Sequence, residues 1–75
     1  MLIRTKKGEE CAVQKEHSTL EGIIIQVSDD IIFNDINVND EIDLFKNEED
    51  VHPEWLIVKR KREGNVLVCF YADPG

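Results

Sequence analysis

The sequence predicts a single all-β domain over residues 1–75, a small antiparallel barrel or strongly bent sheet of five to six short strands, SH3-like or OB-like in scale. Three observations carry this. Short β-branched runs recur between turn residues, two of them flank Gly64-Asn65 in hairpin fashion, and almost no apolar spacing follows a 3.6-residue period. The alternative is an α+β fold with one short helix near residues 46 to 54.

Along the chain, "LIRT" and "ECAVQ" read as strands joined by "KKGE", where Gly8 supplies the positive φ of a tight turn. "EHSTLEG" is polar and turn-like. "GIIIQV" is a strand bounded by Gly22 and by Ser28-Asp29-Asp30, and its apolar density places it centrally. "IIFNDINVNDEIDLF" reads as two short strands broken near Asn39-Asp40, with Ile36, Val38, Ile42 and Leu44 in phase. "KNEEDVHPE" is a charged loop or single helical turn, since Pro53 and the acidic run oppose a ladder.

The last third, "WLIVKRKREGNVLVCFYADPG", forms a hairpin. A two-residue turn at Gly64-Asn65 sets Glu63 opposite Val66, Arg62 opposite Leu67, Lys61 opposite Val68, Arg60 opposite Cys69 and Lys59 opposite Phe70. Alternation then separates Lys59 and Lys61 from Arg60 and Arg62. Long cationic stems covering apolar partners, with charged heads that deter further pairing, are the mark of an edge strand. Phe70 is expected in the core. Trp55 could be core or surface, and Tyr71 is expected to rest its ring on the core with its hydroxyl in water.

Charge is unevenly divided in this chain of formal charge −7. Residues 29 to 54 hold ten acids against Lys46 alone, while Arg4, Lys6, Lys7 and Lys59 to Arg62 gather most of the cations. Two poles of opposite sign steer charged partners or bring copies of one chain together. No apolar run is long enough for a membrane-spanning helix and no leader pattern is evident, so a cytoplasmic protein without membrane contact is expected. Cys11 and Cys69 have neither zinc spacing nor a disulfide framework around them and read as reduced core thiols.

Enzymatic motifs are lacking: there is no phosphate-binding glycine loop, no His-Glu-x-x-His and no Gly-x-Ser-x-Gly. Cys11 with His17 or His52 has no local nucleophile signature. "DINVNDEIDLFK" from Asp35 to Lys46 imitates a calcium loop at Asp35, Asn37 and Asn39. Asp40 replaces the turn glycine, however, and Lys46 the closing glutamate. No metal and no cofactor is expected, and the chain is not expected to be an enzyme.

"MLIRTKKGE" resembles the start of the carbon storage regulator family of RNA-binding proteins, and "GNVLVCFYADP" is similar to that family's later strand. This chain carries more sequence between those pieces and has Phe70 in place of a family glycine. "STLEGIIIQVSDDIIFN" followed by "REGNVLV" is similar to the two Sm-type RNA-binding motifs, with wider Gly-to-Asp spacing and an extra residue splitting the Arg-Gly pair. The two resemblances share only a small bent antiparallel sheet, and neither assigns a family.

The function expected from the sequence is a noncatalytic binding module that regulates, adapts or inhibits a protein partner through an acidic surface. Its partner-binding residues are Asp40, Glu41, Asp43, Glu48, Glu49, Asp50 and, as an anchor, Trp55. Mimicry of nucleic acid by a phage or mobile-element protein is a special case. The alternative is single-stranded RNA or DNA binding through Lys6, Lys7, Lys59, Arg60, Lys61, Arg62 and Tyr71. Self-assembly into a homo-oligomer is a third expectation.

Overall fold

A computed structural model describes residues 1–46 and 51–71. The strands are β1 (Leu2–Arg4), β2 (Glu10–Ser18), β3 (Gly22–Val27), β4 (Glu41–Phe45), β5 (Val51–Lys61) and β6 (Val66–Tyr71), with one short helix, α1 (Asp30–Asp35), between β3 and β4. All pairings are antiparallel, and they close the sheet into a barrel in the order β1-β2-β3-β6-β5-β4. The all-β barrel expected from the sequence is therefore the fold.

Alternation fills the barrel. Ile3 faces Leu44 and Cys11, Ile23 and Ile57 flank Cys69, Ile25 faces Leu67, and Ile42 faces Trp55. Except for half-buried Cys11, these inward residues are buried, and Val27, Ile32, Phe33 and Ile36 join them. Paired residues of an antiparallel ladder point to one side of the sheet, so each buried pair consolidates two strands at once.

Helix α1 replaces the first of the two strands expected within residues 31–45, and it lies upstream of the helix considered near 46 to 54. Asp29 is extended and caps it, its carboxylate accepting from the Ile32 amide at 3.0 Å. Ile32, Phe33 and Ile36 then turn inward while Ile31 stays 74% exposed, so burial of one face overrides the β propensity of the Ile-Ile-Phe run. Replacing Asp29 with Ala is expected to lower stability by about 1 kcal/mol. Unchanged urea unfolding would show that the cap contributes nothing.

The break near Asn39-Asp40 is a turn. Asn39 has φ 78°, the Asn37 amide donates to the Asp40 carboxylate at 2.8 Å, and Val38 is exposed rather than in phase with the core. β2 continues through Ser18, so "EHSTLEG" contributes strand before it turns. β5 runs through Pro53, which the sequence placed in a loop. Pro53 and Glu54 stand opposite the single residue Asp43, a bulge, which is one of the places where a sheet accepts proline. Residues 47 to 50 lie outside the described residues.

The terminal hairpin exists in a different register. Lys61 faces Val66, Arg60 faces Leu67 and Lys59 faces Val68, leaving residues 62–65 as a four-residue turn. Gly64 and Asn65 do adopt positive φ. Asn65, however, is held by β3 and α1: its carbonyl accepts from the Val27 amide and its side-chain amide donates to Asp30. That tertiary anchoring moves the closing pair away from the isolated-hairpin position.

Candidate binding surface on the barrel wall

A second bulge in β5 decides where the cations go. Ile57 pairs with Cys69 and Lys59 with Val68, so Val58 is the extra residue and the inside-outside phase reverses after it. Lys59 and Lys61, which an unbroken strand would turn toward the same side as Ile57, are instead exposed on the outer wall. Arg60 takes the inner phase. Its guanidinium lies 4.4 Å from the Phe33 ring centroid and donates to the Ile36 carbonyl at 2.6 Å. Arg62, in the turn, donates to the Asn34 side chain.

The four consecutive cations therefore divide into two that clamp α1 and two that face solvent. The edge-strand reading holds only locally. The β4–β5 ladder reaches Leu56, and beyond it Lys59 to Lys61 pair with β6, but β5 as a whole is enclosed in the barrel. Lys6 and Lys7 sit elsewhere. With Thr5, Glu9, Asp35 and Asp40 they line a concavity of about 270 Å³ between the β1–β2 turn and the α1–β4 turn. Glu41 lines it as well, so basic and acidic groups interleave there rather than forming separate poles.

The predicted acidic site is also divided. Asp40 closes the turn at Asn37, and Glu41 is exposed. Asp29 caps α1 and Asp30 accepts from Asn65. Glu48, Glu49 and Asp50 lie outside the described residues, and Asp43 is partly buried at the β4–β5 bulge. Trp55 cannot be a surface anchor because it is only 6% exposed, paired with Ile42 inside the barrel. Tyr71 covers it at the barrel end, with ring centroids 4.4 Å apart, and keeps 64% of its own surface exposed.

Phe70, expected in the core, points outward instead. It pairs with Gly22 on one side and Leu56 on the other, in the phase opposite to buried Leu67 and Cys69. Following that phase across the wall gives three rows. Gly22, Phe70, Leu56 and Glu41 form the first; His17, Ile24, Val68 and Lys59 the second; Lys15, Gln26, Val66 and Lys61 the third. Ile24, Leu56, Val66, Val68 and Phe70 are half-buried, while Lys15, His17, Lys59 and Lys61 are exposed. The result is an apolar strip on β3, β6 and β5 with Lys15 and His17 along one side, Lys59 and Lys61 along the other, and Glu41 at the Phe70 end.

Sequence reading missed this surface because it assigned Phe70 to the core; the two-residue register shift leaves the faces unchanged, and the bulge at Val58 is what sets Lys59 and Lys61 on the side opposite Ile57. The signal that could have found it is the density of β6: "VLVCFY" has no polar residue at the alternate positions a wet face requires.

Neither cysteine is set up as a nucleophile. Both thiols are free, and burial raises the Cys69 pKa to about 12, which keeps it protonated and unreactive at neutral pH. Cys11, partly buried on β2, is also raised, chiefly by desolvation. Among the described residues no group of three or more His, Cys, Asp or Glu side chains is arranged to hold a metal ion, and no helix is long and apolar enough to cross a membrane. In the calcium-like stretch, Asp40 spends a carboxylate oxygen on the Asn37 amide. No family model, no curated protein and no solved structure matches this chain.

Proposed function

We propose that this chain is a noncatalytic binding module that regulates or adapts a protein partner, engaging it through the outer wall of β3, β6 and β5. The observation that carries this reading is the run of outward apolar positions on three adjacent strands, from Ile24 through Val66, Val68 and Phe70 to Leu56. The solvent face of an antiparallel sheet is ordinarily polar, and contiguous apolar side chains there favour association.

A protein fits this wall better than nucleic acid does. The strip is mostly aliphatic and offers one aromatic ring, Phe70, whereas sequence-tolerant strand binding relies on several stacking platforms. A formal charge of −7 further opposes phosphate attraction. Single-stranded RNA or DNA remains the second reading because Lys59 and Lys61 are exposed side by side and make no ion pair among the described residues.

The test is quantitative capture from nuclease-treated bacterial lysate with the wild type, Val68→Asp, a control Leu20→Asp at the exposed β2–β3 tip, and a reversal of Glu48, Glu49 and Asp50 to Lys. Val68→Asp places a carboxylate at the centre of the strip without entering the core, and circular dichroism verifies the barrel. A stoichiometric partner retained by the wild type and by Leu20→Asp should fall at least roughly tenfold on Val68→Asp. Equal retention by Val68→Asp would reject the wall. Loss only on reversal of the three acids would restore the acidic-surface reading, and recovery of salt-sensitive nucleic acid would favour the second one.

A further inference from the structure

Resting on the wall-binding reading, we infer that the occupant of this surface is an amphipathic α-helix of an acidic protein partner, lying along β3 and β6 with carboxylates on both flanks. The wall specifies more than apolarity. Lys15 and His17 stand on β2, Lys59 and Lys61 on β5, and each pair is two register steps long. Between the pairs lie β3 and β6, presenting Ile24 and Gln26 beside Val68 and Val66. Three inter-strand spacings separate the two basic rows, about 14 Å measured along the sheet.

That separation selects among occupants. An α-helix with its side chains is about 10–12 Å across, so a helix centred on the Ile24–Val68 row brings a flanking Asp or Glu on each side within reach of a lysine stem. An added β-strand would span about 5 Å and meet one row only, and β3 and β6, which carry the strip, are paired on both sides and offer it no free ladder edge. A single nucleic-acid strand likewise carries one phosphate track and would leave one basic row unused. Along the strip, Val66 to Phe70 covers about 14 Å, enough for two to three helical turns and hence for apolar anchors at i, i+3 or i+4, and i+7.

Charge gives the helix its sign. The rows collect three lysines in a protein whose formal charge is −7, and the carboxylate among these positions is Glu41, at the Phe70 end beside Leu56. Acidic flanks meet attraction along both sides, whereas basic flanks meet repulsion from Lys15, Lys59 and Lys61.

Two synthetic helices of roughly 14 residues, about four turns, test this: one with a leucine stripe and glutamate flanks, the other with the same stripe and lysine flanks. Amide resonances of the labelled full-length chain are followed during titration, and oligouridine is titrated in parallel. The glutamate-flanked helix should shift resonances of β3, β6 and β5, and the lysine-flanked helix should bind roughly tenfold more weakly or not at all. The combined variant Lys59→Glu, Lys61→Glu should weaken the acidic helix by about tenfold and leave the core spectrum unchanged.

Equal or better binding of the lysine-flanked helix, indifference to the double reversal, or binding of oligouridine in preference to both peptides would overturn the inference. If Val68→Asp abolishes partner capture while the acidic helix fails to bind, the wall remains the interface and the helix is wrong. If Val68→Asp leaves partner capture unchanged, the reading on which the helix rests has failed.

Discussion

Gly22→Ala should destabilise the barrel by about 3 kcal/mol or more, a large share of what a small domain possesses. Gly22 begins β3 directly opposite Phe70, and a Cβ there would lie 1.9 Å from the Cys69 carbonyl oxygen and 2.8 Å from the Phe70 Cα. Both obstacles are backbone, so no rotamer change relieves them. Moving β6 outward would strip Cys69 from between Ile23 and Ile57. The β2–β3 turn cannot yield either without losing bonds, because Gly22 donates to the Thr19 hydroxyl and its carbonyl accepts from the Thr19 amide. Gly8→Ala is the control: its Cβ would enter open space and meet only the strain of φ +87°, about 1 kcal/mol. Urea unfolding of both variants decides the matter. Equal losses would mean that β6 accommodates the methyl group and that the close approach is not a constraint.

The parts of the fold written in the sequence are those set by neighbouring residues. Gly8 turns the first hairpin, "GIIIQV" is a strand between its expected boundaries, and Gly64 and Asn65 adopt the backbone that their types favour. The structure departs from these local preferences where distant parts of the chain compete. Ile31, Ile32 and Phe33 are good strand formers, but Asp29 can cap a helix and Ile32, Phe33 and Ile36 share a helical face that the barrel needs covered. The spacing of those three residues was readable; its use depended on an opening that only the closed sheet creates.

The candidate surface was less legible still. Two β5 bulges, at Pro53-Glu54 and at Val58, each change which side of the sheet the following residues face, and neither has a unique sequence signature. Local hydrogen bonding, rather than phase, divides the acidic stretch. Asp29, Asp30 and Asp40 look alike in a charge count, yet each accepts a structural hydrogen bond, which removes part of its lone-pair capacity from partner binding. Composition records how many charges exist, while backbone phase and local bonding determine which of them face a partner.

Phe33→Ala should cost about 3–5 kcal/mol, enough to bring so small a domain close to its unfolding midpoint without denaturant. Phe33 is fully buried, and the six-residue helix that carries it cannot persist on propensity alone. Its docking relies on the ring and on what lies over it. Arg60 covers the ring at 4.4 Å and bonds the carbonyl of Ile36, the residue that ends α1, so one side chain ties helix to hairpin at two points. Arg60→Ala should therefore cost about 2 kcal/mol, from the lost cation–ring contact and the charge-assisted hydrogen bond. If the two act as a unit, their losses will not add, and the double variant should be about 1 kcal/mol more stable than the sum of the single losses predicts. Urea unfolding of the four proteins, with the milder Phe33→Leu as a second probe should Phe33→Ala fail to fold, gives the coupling directly. Simple additivity would show that Arg60 and Phe33 stabilise α1 independently, and a negligible loss for Arg60→Ala would show that the arginine is free to meet a partner after all.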